Sequence, residues 1–351
     1  MPLSEVALLK DRKMKSILSL AAVGAIGLAS SAVAGVTVDA VRGRDQLLCG
    51  VSPASPGFAT ADQTGAYKGL DVDICHAVAS AVLHDANKVK FVPLTAQQRL
   101  TALQSGEIDI LARNTTWTLT REALSGILFG PTTFYDGQGF IVAKKLGVNS
   151  AKQLNGATIC VSPGTTTELN LADYARTNRL TVKAVSIEGM DVVENAFLSG
   201  RCDAYTNDST SLAGMRITKA PNPDDFVVLP EIISKEPLSP AVRQGDDQWF
   251  DILRWTVFAL VEAEEKGITR VNVAEMLQSA DPAVKRLLGV MPGNGEALGL
   301  DEGWAARVIH DVGNYGEIFD RNLGMGSPLK IERGLNDLWT KGGLMYAPPM
   351  R

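Results

Sequence analysis

The sequence predicts an α/β fold of two lobes facing each other across a cleft. Three observations lead there. From about Gln46 to Ile217, short apolar runs alternate with segments of helical period, the pattern of α/β units with mainly parallel sheets. The alternation comes in two sets that meet near Gly137 to Lys145, and the chain leaves the second set near Ile232 to Val242. Two crossings suit two lobes joined by a hinge of extended segments. At 351 residues the chain is also long enough for about two domains. The expected boundaries are a leader over 1–34, a discontinuous first lobe over 35–140 and 240–351 with a C-terminal extension, and a second lobe over 141–239.

In the first set, Leu47 to Val51, Lys88 to Val92 and Ile108 to Ala112 read as strands. Asp71 to Leu83 reads as a helix with Ile74, Val78 and Val82 on one face and acids in its first turn. Thr95 to Ser105 reads as a helix with a capping box, Thr95 with Gln98, and Gly106 as its stop. In the second set the strands are Gln138 to Ala143, Ala157 to Val161, Leu180 to Val185 and Cys202 to Thr206. The helices are Thr166 to Thr177, Met190 to Leu198 and Ser209 to Ile217. Beyond Gly245 the pattern is mostly helical: Trp249 to Glu264, Asn272 to Ser279 and Pro282 to Leu288, the last two capped by Asn and Asp. The final 50 or so residues are Gly-rich and only partly periodic, and read as an irregular surface extension.

The first residues differ from the rest. Lys10, Arg12, Lys13 and Lys15 precede the apolar run Ile17 to Leu28, and Ala32-Val33-Ala34 fits a small-x-small cleavage site. This is the order of a secretory signal. The run is short of the roughly 20 residues that span a bilayer. Gly35, not Cys, follows the expected cut, and Met14 is an alternative start. Export favours disulfides among Cys49, Cys75, Cys160 and Cys202. The layout suggests pairing within lobes: Cys49 on a strand with Cys75 on the next helix, and Cys160 with Cys202 on two strands. Four buried free thiols remain the alternative. The scattered cysteines and His76, His84 and His310 fit no metal site. A net charge of −5 without a long basic run argues against nucleic acid.

Three strand ends carry candidate chemistry. Asp109 to Arg121 runs from a strand into a hydroxyl-rich loop, with Thr116 and Thr118 as donors and a guanidinium fork suited to a carboxylate at Arg121. Ser162 to Glu168 follows a strand and opens a helix, where free N–H groups attract an anion. Asp208 stands where a strand passes into a helix. Each has a plainer reading: a Thr-rich turn with a surface Arg, a simple cap, and a cap again. Jointly they offer one cation, one anion-binding helix start and one anion, the complement of a zwitterion. They form no Ser/Cys–His pair and no carboxylate dyad.

At these residues the chain resembles the periplasmic solute-binding proteins of polar amino-acid ABC importers, in their general L-amino-acid-binding branch. The segments that carry the resemblance are Gly69 to Cys75, Arg99 to Gly106, Asn114 to Thr118, Gly164 to Asn170 and Lys235 to Asp246. The resemblance implies a two-lobed periplasmic-binding-protein (type II) fold with a ligand cleft between the lobes. It implies a periplasmic monomer, without enzymatic activity or cofactor, that hands an L-amino acid to an inner-membrane permease and its ATPase. Arg121 would clamp the α-carboxylate, assisted by Thr116, Thr165 and Thr166. Asp208 would hold the α-ammonium, helped by Asn114 or the Arg113 carbonyl. Arg99 matches a position that meets side-chain carboxylates in glutamate/aspartate binders. Trp117, Tyr135 and Phe58 are the aromatic candidates for the site. Ala96, Asn114 and Ser162 depart from stricter relatives, which suits a looser, broadly specific pocket. An enzyme on the same fold, with Glu168 or Glu194 as general acid, and a sensory module are the competing readings.

Overall fold

The computed structural model describes residues 35–351; the leader and its cleavage after Ala34 lie outside them. Two five-stranded sheets organise the chain. The first runs in the order Val89–Pro93, Leu47–Val51, Ile110–Leu111, Ala241–Arg243, Ile127–Phe129. Its first three strands are parallel, and the last two pair antiparallel. The second runs Lys183–Ser186, Thr158–Val161, Ala204–Asp208, Gln138–Ala143, Phe226–Val228, again three parallel strands followed by two antiparallel pairings. Each sheet therefore mixes directions more than the strand–helix alternation suggests, because the strands next to a crossing return without a helix between them. The crossings themselves pair: Phe134–Asp136 lies antiparallel to Glu236–Leu238, with Glu236 opposite Asp136.

Helix Leu70–Leu83 is buried on nearly all sides, as its near-continuous apolar composition requires. It packs between the first sheet and helices Asp247–Glu265 and Trp304–Val312. That last helix corrects the reading of the C-terminal residues as irregular surface. Trp304, Ala305, Val308, Ile309 and Val312 form one buried stripe, and the next helix, Tyr315–Asn322, buries Tyr315, Ile318 and Phe319. Asn314 and Glu317 close a reciprocal capping box at its start. Glycines at 299, 303, 313 and 316 interrupt the periodicity in sequence and hide these helices. Beyond Leu323 only short turns of 3-10 helix occur, pinned by Leu338, Met345 and Ala347 in the same core. A helix at Val36–Arg44 was also not legible, its apolar face being only Val38 and Val41 with Thr37.

Smaller shifts matter for the site. Thr95 and Gln98 do exchange their capping-box bonds, at 3.3 and 3.1 Å, but regular helix begins at Arg99. Asn272 does not cap its helix, Val273–Met276; it binds the Thr269 N–H and the Gly267 carbonyl instead. The strand expected over 202–206 is Ala204–Asp208, so Asp208 is its last residue and sits at a sheet's carboxyl edge. Cys49 is bonded to Cys75 and Cys160 to Cys202, each pair tying one sheet to its own neighbouring element.

Candidate ligand-binding cleft

The carboxyl ends of parallel strands in both sheets converge on one cleft, the usual place for a site in open α/β sheets. Arg99, Arg113, Asn114 and Thr116 line it from the first sheet's side, and Thr165, Thr166 and Asp208 from the second. The two sides touch: the Thr116 and Thr166 hydroxyl oxygens are 3.3 Å apart.

The loop after Ile110–Leu111 is held from three directions. Asp71, buried in the first turn of helix Leu70–Leu83, accepts the Asn114 N–H at 2.7 Å. Asn114 adopts φ +34°, in the left-handed region that Asn tolerates better than most residues. Arg113 Nε donates to the Leu94 carbonyl at 2.8 Å, while the Thr115 hydroxyl occupies one lone pair of the Arg113 carbonyl. The backbone of Thr115 and Trp117 pairs with Ser239 and Pro237 on the returning crossing. Thr118 is not a site donor. It caps helix Leu119–Leu124 by accepting the Arg121 N–H. Burial drives the Asp71 carboxyl up to about 7, against the Asn114 bond and the Arg113 charge that favour its ionised form.

Across the cleft, Thr165 caps helix Thr166–Thr177 by accepting the Glu168 N–H, and its hydroxyl donates to the Ser162 carbonyl at 2.7 Å. The Thr166 and Thr116 hydroxyls both reach Glu236 Oε2, at 2.9 and 2.5 Å. Asn170 Nδ2 and the Ser234 hydroxyl fill Oε1, at 2.8 and 2.5 Å. Glu236 is 1% exposed.

Asp208 occupies the cap position of helix Ser209–Thr218 but bonds none of its N–H groups. Asp136 does that work, accepting the Ser209 hydroxyl at 2.6 Å and the Thr210 N–H at 3.3 Å. Burial, then the charges of Asp136 and Glu236, hold the Asp208 carboxyl well above the usual range, opposed by Arg99 and Arg121. Arg99 is 3% exposed, and its Nε finds no partner among the described residues. Burial and the neighbouring Arg121 and Arg113 charges weaken its hold on its proton. Burial likewise brings Arg113 down to about 10 and lowers Arg121.

Four expected residues, Arg121, Phe58, Trp117 and Tyr135, do not line the cleft. Arg121 donates through Nη1 to the Thr116 carbonyl at 2.8 Å, and its charge acts on Arg99, Arg113 and Asp208 from there. Phe58 is fully buried, edge-on to Phe134 in the core below the first sheet. Trp117 points away, stacked on Phe129 with its N–H on Glu122, and shares a separate groove with Tyr135. An aromatic in a loop beside a site is attractive in sequence, but these two serve packing. Conversely, Asp71, Asp136 and Glu236 were missed as braces of the site. Asp71 looks like an ordinary first-turn acid, and Glu236 and Asp136 lie on crossings without periodicity. Pro53, Ala96, Glu188 and Met190 complete the walls. Neither acid of the enzyme reading lines them: Glu168 binds the Gly164 N–H and the Ser186 hydroxyl, and Glu194 is buried against Lys219.

Residues 47–269 match the model of the bacterial extracellular solute-binding proteins, family 3. The chain is 56% identical over 342 residues to the general L-amino acid-binding periplasmic protein AapJ of Rhizobium johnstonii, covering 96% of this chain and 100% of that one. It is 50% identical over 339 residues to the glutamate/glutamine/aspartate/asparagine-binding protein BztA of Rhodobacter capsulatus, with coverage of 96% and 100%. Among solved structures, a periplasmic binding protein of Brucella ovis with glutathione bound superposes with a TM-score of 0.88 at 54% identity, over 90% of this chain and 99% of that one. An ancestral arginine-binding protein bound to arginine gives 0.56 at 27%, over 64% and 95%. The fold is that of type II periplasmic binding proteins, and the family is one of transport proteins rather than enzymes. The chain belongs to the bacterial extracellular solute-binding proteins, family 3.

Proposed function

We propose that this chain is the periplasmic substrate-binding component of an ABC importer, that it binds L-amino acids with broad specificity, and that it delivers them to an inner-membrane permease and its ATPase. The observation that carries the reading is the buried Asp208, whose carboxyl has no hydrogen-bond partner among the described residues, facing a cluster of arginines across a cleft between two sheets. Buried charge without a partner is costly, so such a site is built for a ligand that supplies both signs.

The α-ammonium goes to Asp208. The Thr116 hydroxyl joins it as an acceptor, because its single proton is directed at Glu236 and its lone pairs are what it can offer a ligand. Asn114 Oδ1, buried without a partner among the described residues, is the third acceptor. The α-carboxylate goes to the start of helix Thr166–Thr177, with the charge of Arg121, held on the Thr116 carbonyl, favouring it from outside the lining. Arg99 then faces the side chain, together with Glu188, Met190, Pro53 and Ala96, a mixture of charges and apolar surface that suits polar, acidic and amide ligands without demanding one.

Residues 35–133 and 239–351 act as one lobe and 137–235 as the other, hinged at the paired crossings Phe134–Asp136 and Glu236–Leu238; the boundary falls before residue 140 because strand Gln138–Ala143 belongs to the second sheet. Residues 1–34 act as the export signal, and the mature protein works as a monomer. Glutathione belongs in the ligand panel, since its γ-glutamyl end carries the same α-amino-acid head and its far carboxylate suits Arg99.

Calorimetry on the mature protein tests this with alanine, glutamine, glutamate, aspartate, arginine and glutathione. Micromolar or tighter binding of several L-amino acids is expected. Failure to bind any of them, with no ligand released on denaturation, would overturn the reading.

A further inference from the structure

We infer that Glu236 is the positioning residue that couples ligand recognition to cleft closure: it fixes the proton direction of the Thr116 and Thr166 hydroxyls and holds the two sides of the cleft to the hinge. The inference rests on the binding reading above.

Glu236 sits on a crossing, opposite Asp136, and belongs to neither five-stranded sheet. Its four contacts come from three places. Thr116 belongs to the loop that leaves the first sheet. Thr166 and Asn170 belong to the first two turns of the helix packed on the second sheet. Ser234 precedes it on its own segment. A carboxylate has about four lone-pair sites, and here each meets a donor. Among the described residues no Lys, Arg or His nitrogen lies within ion-pair distance of it, although its charge acts on Arg121.

Two consequences follow. A carboxylate cannot donate, so both threonine hydroxyls must point their protons at it and their lone pairs elsewhere. The polarity of the ammonium site is thus set by a residue that does not touch the ligand. Further, any opening that separates the Thr116 loop from the Thr166 helix strips Glu236 of donors on at least one side. The buried acid then needs water in their place. Closure restores all four contacts at once, which makes Glu236 a latch engaged by both sides.

The test uses the mature protein with Glu236→Gln and Thr166→Val. An amide offers an NH2 where four donors converge, so one end must oppose a donor, and the hydroxyl protons turn toward the cleft. Glu236→Gln is expected to weaken L-glutamine, L-glutamate and L-alanine alike by about 30-fold or more, as a lost charged contact does. The ratios among the three stay unchanged, and thermal unfolding without ligand shifts little. Small-angle scattering at saturating ligand should show the wild type compacting more than the variant. Thr166→Val removes one donor and is expected to cost about 5-fold. It serves as the deciding arm if Glu236→Gln does not fold. Unchanged affinity with unchanged compaction, in either folded variant, overturns the inference. So does a loss confined to one ligand. If the wild type itself binds none of the three, it is the binding reading that has failed.

Discussion

Asp136 accepts the Ser209 hydroxyl at 2.6 Å and so secures the helix start that Asp208, one residue before that serine, leaves unbonded. Position alone makes Asp208 a helix cap. The structure gives that duty to a residue from the hinge, and Asp208 is left free to face the cleft.

Substitution should separate the two acids. Asp208→Asn removes a carboxylate that burial and like charges hold in an unfavourable state. We expect binding of every L-amino acid to fall by on the order of 100-fold or more, while the unliganded protein melts at the same or a higher temperature. Asp136→Ala takes bonds from Ser209, Thr210 and Gly137 and should lower stability by about 1–2 kcal/mol, as loss of a cap does. Calorimetry and thermal melts on both variants check this. A melt lowered by Asp208→Asn as much as by Asp136→Ala would return Asp208 to a structural role.

The arginines divide the ligand between them. Arg121→Ala should weaken all L-amino acids to a similar degree, since it serves the part they share. Arg99→Ala should weaken glutamate and glutamine about tenfold more than alanine, because its buried guanidinium, whose Nε has no partner among the described residues, is positioned for a side-chain acceptor. Equal losses across the three ligands on Arg99→Ala would remove it from the side-chain pocket.

The division between what the sequence discloses and what it hides follows a physical line. Strands and helices with unbroken periods, such as Leu47–Val51 and Met190–Leu198, are legible because local pattern and burial agree. Strand-end residues such as Asn114, Thr166 and Asp208 are legible because open α/β sheets place their sites there. Glu236 and Asp136 are not, since their roles come from a pairing of crossings 100 residues apart. Phe58 and Trp117 mislead for the converse reason: loop aromatics gain as much from a neighbouring ring, Phe134 or Phe129, as from a ligand. The helix Trp304–Val312 is clear once its stripe is seen. Its flanking glycines cut the window in which periodicity is judged.

The disulfides should contribute stability and leave the cleft alone. Cys49–Cys75 and Cys160–Cys202 close segments with separations of 26 and 42 residues. Loop-closure entropy assigns about 3–4 kcal/mol to each. Replacing Cys160 and Cys202 together by Ser should lower denaturant stability by an amount of that order and leave the dissociation constants of the folded protein within about threefold. A much larger change in affinity, with the fold intact, would show that the bond shapes the site.

Asp71 makes stability depend on pH, with a sign opposite to that of a salt-bridged acid. Its carboxyl is pushed up to about 7 in the folded chain from an ordinary value of 3.8, because burial outweighs the Asn114 bond and the Arg113 charge. The folded state therefore holds the proton more tightly than the unfolded one. The stabilisation this provides is fully present below pH 3.8 and declines as pH rises toward 7, above which the buried anion remains as a constant cost. Between pH 5 and 8 the loss is about 3 kcal/mol for a shift of this size. Asp71→Asn removes the titration while keeping a side-chain oxygen for the Asn114 N–H. Subtracting the urea-unfolding free energies of the two proteins at pH 5, 6, 7 and 8 cancels the contributions of groups they share. The variant should gain on the wild type steadily up to about pH 7 and then hold level. Parallel pH profiles would mean that water or Arg113 stabilises the ionised Asp71, and that the loop carrying Asn114 is not held by a buried proton.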